Sequence, residues 1–165
     1  HFSSGRPSGS PRIIVMHSTE NAIAPGVARA VANYFAAPST QASAHYVVDA
    51  GEIVQCVQEA DEAWAAPGAN ESGIHVEHAA RATWAEEAWL APEVEQMLAR
   101  SAGLVAAICR RHGVSVERIG AEAVKRGERG ICGHVDVSRA FRQSDHFDPG
   151  PRFPWARFLE LVRAS

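Results

Sequence analysis

Apolar residues recur along this chain in two rhythms, one suited to strands and one to helices. The run Arg12-Ile13-Ile14-Val15-Met16-His17 is β-branched at its centre and ends on a polar side chain. It predicts a buried strand whose C-terminal edge displays His17. Helical spacing of small and apolar residues follows from Pro25 to Phe35, with a proline suited to a helix start. Ala44 to Asp49 and Glu52 to Val57 flank the turn Ala50-Gly51, a hairpin signal. Ile74-His75-Val76-Glu77-His78 alternates as a strand would, which puts Ile74, Val76 and His78 on one face and His75 and Glu77 on the other.

The longest helical pattern runs from Pro92 to His112, with Val94, Met97, Leu98, Ala102, Val105 and Ile108 on one stripe and Gly113 as C-cap. Trp64 to Gly73 reads as a loop, Val114 to Gly133 as short helices and turns, and Lys125 to Arg129 as a solvated loop. A last helix is predicted from Pro154 to Arg163, where Trp155, Phe158, Leu159 and Val162 share a face. Strands interleaved with helices predict an α/β domain, a mixed central β-sheet flanked by helices. No internal repeat is visible. Residues 1–11, rich in Gly, Ser and Pro, are expected to form a flexible linker or terminal extension, and 12–165 a single domain. Such a start suggests further domains alongside this one.

Composition narrows the function classes. A length of 165 residues, 46% hydrophobic and 21% charged, is that of one globular domain with a proper core. A net charge of -3 gives no electrostatic reason to expect nucleic acid as partner. No apolar stretch approaches a membrane span, and the first residues lack the apolar centre of a signal peptide. Cys56, Cys109 and Cys132 are widely separated, without a CxxC pair, so they imply neither a disulfide framework nor a thiolate metal site. Their odd number fits a reducing compartment.

Three polar clusters carry candidate chemistry: Met16-His17-Ser18-Thr19, Ile74 to His78, and Gly133-His134-Val135-Asp136 running on to Ser144 to Pro151. Histidine nitrogen and carboxylate oxygen are donors that zinc accepts in tetrahedral geometry, and a catalytic site needs three of them with one open position. No HxH or HExxH element groups the ligands here, so spacing alone leaves the set open.

The ordered segments IIVMHST, SAHYVVDAGEIVQCV, EAWAAPG, GIHVEH, GHVDVS and DPGPRFPWARF span roughly residues 12 to 160. In this order the chain resembles the zinc-dependent N-acetylmuramoyl-L-alanine amidases. That family includes phage T7 lysozyme-type amidases, bacterial anhydro-muropeptide amidases and animal peptidoglycan recognition proteins. Within it, the Ala/Arg-rich composition is most similar to the amidase domain of mycobacteriophage endolysins. The resemblance implies the peptidoglycan recognition protein-like amidase fold and a zinc ion held by His17, His134 and Asp148. It implies Glu77 as catalytic acid/base, Tyr46 as a hydroxyl near the metal, and His146 as a donor to the oxyanion, standing two residues before the third ligand where relatives often have lysine or threonine. The stretch between His134 and Asp148 is longer than in short relatives, which leaves Asp136, Asp145 and His146 as rival ligands. His75 shares a strand face with Glu77 and is expected to line the cleft. Trp64 is expected either as an apolar cleft wall or in the core, and His45 as structural.

The implied reaction is hydrolysis of the amide between the lactyl group of N-acetylmuramic acid and L-alanine, in the catalytic domain of a phage endolysin. The alternatives are a non-catalytic peptidoglycan-binding module and a cytosolic muropeptide-recycling amidase. Peptidoglycan or a muropeptide is then the partner, with no nucleic acid and no membrane, and the chain is expected to be a monomer. An endolysin would be made in the bacterial host cytoplasm without a signal peptide and act on the wall after release.

Overall fold

The computed structural model describes residues 1–7 and 9–165. In chain order the elements are β1 (Phe2–Ser3), β2 (Ile13–Ser18), α1 (Val27–Ala36), β3 (Tyr46–Val48), β4 (Ile53–Gln55), β5 (Glu62–Ala63) and β6 (Gly73–His78). They continue with α2 (Glu86–Trp89), α3 (Pro92–His112), α4 (Ala121–Lys125), β7 (Gly130–Gly133), α5 (His134–Phe141) and α6 (Trp155–Ala164).

The main sheet has the order β4-β3-β6-β2-β7. Strand β2 is buried at all six positions and pairs in parallel with β6 on one side and β7 on the other. This explains its unbroken apolar run, since a parallel strand covered on both faces has no solvated side. Strand β3 pairs in parallel with β6 and antiparallel with β4, so the predicted hairpin closes one edge and the sheet is mixed.

The two sheet faces carry separate cores. Ile14, Met16, Ile74, Val76, Tyr46 and Val48 pack on one face with the apolar stripes of α3 and α6. Ile13, Val15 and Cys132 pack on the other with Val124 of α4, Val137 of α5, and Ala66 and Ala69. Helix α3 keeps its expected ends: Pro92 starts it, Glu93 and Glu95 occupy its first turn, and Arg110, Arg111 and His112 its last. Those charges complement the helix dipole, and Gly113 at φ 64 ends it in the left-handed conformation.

Two elements differ from expectation. The segment read as turns before Gly133 contains β7, whose Gly-Ile-Cys-Gly sequence is too short and too glycine-rich to alternate. It is followed without a gap by α5. Of the residues expected as flexible, 1–7 lie against the body: Phe2 and Ser3 pair antiparallel with Ala63 and Glu62. The Gly5 amide donates to Asp61 Oδ1 at 2.8 Å, and Arg6 donates to the Glu59, Asn70 and Gly73 carbonyls. Among the described residues no helix is long and apolar enough to cross a membrane.

Candidate active site

The C-terminal ends of β2 and β6 supply two of the expected residues. His17 and Glu77 are register partners on adjacent parallel strands, so both project from the same face of the sheet. The start of α5 supplies His134, and the loop after α5 returns Asp148 to it, with the Val135 amide donating to the Asp148 carbonyl at 3.0 Å. Gly150 makes this return possible. At φ 97 it occupies a left-handed conformation, and a Cβ there would fall 1.9 Å from the Ala82 carbonyl oxygen.

The result is a buried cluster. His17 Nδ1 lies 3.1 Å from Asp148 Oδ2, and His134 Nδ1 lies 3.3 Å from Asp148 Oδ1. One donor atom from each of the three residues falls within 4.8 Å of the others. Donors around a tetrahedral ion with bonds of about 2.0–2.1 Å are about 3.3 Å apart. The spacing and the N, N, O donor chemistry therefore fit a metal ion, and this cluster can hold one. Burial favours a raised Asp148 pKa, but hydrogen bonds from His134 and His17 hold the carboxyl well below the usual range. Burial also lowers the pKa of His17, so its ring stays neutral and able to ligate.

The rival ligands are otherwise engaged. Asp136 Oδ2 accepts from the Gly133 amide at 2.8 Å, capping α5, and from Arg118 at 2.6 Å. Asp145 is exposed and lies outside the cluster. His146 is 61% exposed at its side chain, stacks on His134 at 4.3 Å and brings its Nδ1 to 3.4 Å from Asp148 Oδ1. It stands at the rim rather than among the three converging donors.

Glu77 borders the same cleft, and its Oε2 is buried without a hydrogen-bond partner. Burial, reinforced by the negative charges of Asp148 and Glu20, pushes its carboxyl up to about 8. A carboxyl raised in this way can hold a proton, and a cation held by the adjacent cluster would draw it back down to where it can also accept one, as a general acid/base must.

Tyr46 is not brought to this site. Side chains alternate along β3, and Tyr46 falls on the face packed by α3 and α6, where its hydroxyl donates to Glu59 Oε1 at 2.6 Å. His45, one residue earlier, points to the site face and is fully buried. His75 shares the face of Glu77 as expected but is also fully buried; it lies outside the cleft lining, with its Nδ1 3.1 Å from His17 Nε2.

The cleft has a volume of about 730 Å³. Its far wall is the face of α1 formed by Val27, Ala30, Val31 and Tyr34, and Trp64 and Phe147 stand at its edges. Trp64 is thus a cleft residue rather than core. The α1 wall and Phe147 were not identified from sequence, although Phe147 is a large apolar residue set among polar ones directly before Asp148.

Fold and site together define a mixed α/β domain built around a metal-competent His-His-Asp cluster. The chain belongs to the N-acetylmuramoyl-L-alanine amidase family, whose model matches residues 7–151. It is 30% identical over 171 residues to N-acetylmuramoyl-L-alanine amidase A of Achromobacter lyticus, covering 96% of this chain and 86% of that protein. The fold is similar to that of Staphylococcus aureus hydrolase AmiA in complex with its ligand, with a TM-score of 0.70 at 19% identity over 97% of this chain and 76% of that one. It is also similar to the catalytic domain of XlyA, with a TM-score of 0.65 at 21% identity over 97% and 92% of the two chains.

Proposed function

We propose that residues 12–165 form a single zinc amidase domain that cleaves the amide between the lactyl group of N-acetylmuramic acid and L-alanine in peptidoglycan. The observation that carries this reading is the convergence of His17, His134 and Asp148 beside the unpartnered carboxyl of Glu77. These three residues would hold the zinc. When bound, the ion supplies Lewis acidity to the reacting carbonyl and acidifies water.

Glu77 takes a proton from the attacking water as the new C–O bond forms. His146, exposed at the rim, donates a hydrogen bond to the developing oxyanion. The C–N bond then breaks, and Glu77 returns its proton to the alanine nitrogen. The products are the lactyl carboxylate on the glycan and a free stem-peptide amine. The α1 wall and the exposed rings of Tyr34, Trp64 and Phe147 offer apolar surface on which sugar and peptide can rest.

A complete donor set with a poised acid/base favours catalysis over a non-catalytic binding role. The exposed aromatic rim favours wall polymer over a small muropeptide, which suits the catalytic domain of an endolysin made in the bacterial cytoplasm and acting, as a monomer, on the wall after release. Digestion of purified cell wall tests the bond assignment. New L-alanine amino termini should appear without new reducing sugar ends; reducing ends without amino groups would mean a glycosidase and overturn it.

A further inference from the structure

Behind His17 runs a column of buried polar side chains that the proposed chemistry does not use. His75 Nδ1 is 3.1 Å from His17 Nε2. The His75 amide donates to His45 Nδ1 at 3.0 Å, and the two imidazoles stack at 5.6 Å with 17° between their planes. His45 Nε2 lies 3.1 Å from the Asp61 carbonyl and 2.7 Å from Arg6 Nη2. Gly73 leaves the space that His75 fills, since a Cβ there would fall 2.9 Å from His75 Nε2. Each ring has a neighbour in the column, and His75 Nε2 is buried without a hydrogen-bond partner.

The proton accounting along this column has a consequence for metal binding. His17 turns Nδ1 towards Asp148. An imidazole ligates through a nitrogen that carries no proton, so a ligating Nδ1 requires the proton on Nε2. While His17 Nδ1–H donates to Asp148, its Nε2 accepts from His75. When Nδ1 ligates a metal instead, the bond reverses, and His75 Nδ1 accepts the Nε2–H with its own proton on Nε2. We infer that His75 is a positioning residue: it accepts the Nε2–H of His17 and holds His17 in the tautomer and orientation whose Nδ1 ligates the metal. Outer partners of ligating histidines are commonly carboxylates, backbone carbonyls or water. Here the acceptor is a second imidazole, fully buried at 3.1 Å from His17.

This inference rests on the zinc reading of the cluster, and one experiment separates the two. Zinc is titrated into metal-free protein against a competing chelator, for the wild type, His75→Phe and His75→Asn, with circular dichroism on each. His75→Phe keeps a ring but no acceptor and should bind zinc about 10–100-fold more weakly, the usual cost of losing an outer-shell partner. His75→Asn places an amide oxygen near the Nδ1 position and should recover most of that loss, which a merely space-filling role would not explain. Proton–nitrogen correlation spectra of the zinc-loaded wild type should show His17 metal-bound at Nδ1 and protonated at Nε2. Wild-type affinity in folded His75→Phe, or ligation of His17 through Nε2, overturns the inference while the zinc site stands. A wild type that binds no zinc overturns both.

Discussion

Glu77 is the proposed acid/base, and burial and two neighbouring negative charges raise its carboxyl in the same direction. Glu77→Gln is nearly isosteric and removes no proposed ligand, so zinc content and fold should persist. Turnover should fall roughly 10²–10⁴-fold, the contribution of a positioned acid/base group. His17→Ala should instead lower zinc content and activity together, because it removes a donor. Zinc analysis and wall lysis on both variants distinguish the two roles; near-wild-type turnover in zinc-replete Glu77→Gln would refute Glu77 as the base. Tyr46→Phe tests the displaced tyrosine. It loses the hydrogen bond to Glu59 on the opposite face, so stability should drop by about 1–2 kcal/mol in denaturant titrations while kcat stays within error of wild type. A loss of turnover comparable to that of Glu77→Gln would put Tyr46 back in the reaction. That His17, Glu77, His134 and Asp148 come together at one cleft was legible in the ordered motifs. The structure places Tyr46 on the opposite face from the one the motif match implies, because such a match ignores strand parity and adjacent residues on a strand face opposite sides.

Elements that hold the site depend on close approaches between loops. Gly150→Ala would need a Cβ where the Ala82 carbonyl already lies, in a backbone conformation that alanine resists. It should destabilise the protein by more than about 1 kcal/mol and lower zinc affinity with it, read by thermal melts and chelator competition. On the far face, Glu59 joins β3 to the end of α3 by accepting from Tyr46, Arg111 and His112. Burial alone would raise its pKa, but these donors bring it down to about 2. Its folded pKa is therefore below its unfolded value of about 4.5, so its stabilisation is present above pH 4.5 and lost as pH falls towards 2. The melting-temperature gap between wild type and Glu59→Gln should shrink over that window; a gap constant down to pH 2 would contradict the clamp. Helix α3 and the hairpin announced themselves through long periodicity and a turn signal. Strand β7 did not, because its pairing with β2 comes from tertiary context rather than from any pattern within four residues.

At the scale of the molecule, a sheet with two separately packed faces brings residues 17, 77, 134 and 148 to one cleft. The fold class followed from strands interleaved with helices, but the docking of residues 1–7 did not. A Gly/Ser/Pro composition describes an unbound chain and carries no record of Arg6 saturating carbonyls elsewhere. Binding of zinc to the folded state alone should raise the melting temperature with zinc concentration, and chelation should reverse it. The most direct test is an anomalous difference map from zinc-soaked crystals, with data collected on either side of the zinc absorption edge. A single peak bonded to His17 Nδ1, His134 and the Asp148 carboxylate, at about 2.0–2.2 Å from each, is expected. A peak at Asp136, Asp145 or His75 in place of these three, or no peak at all, would contradict the assignment of this cluster as the catalytic zinc centre.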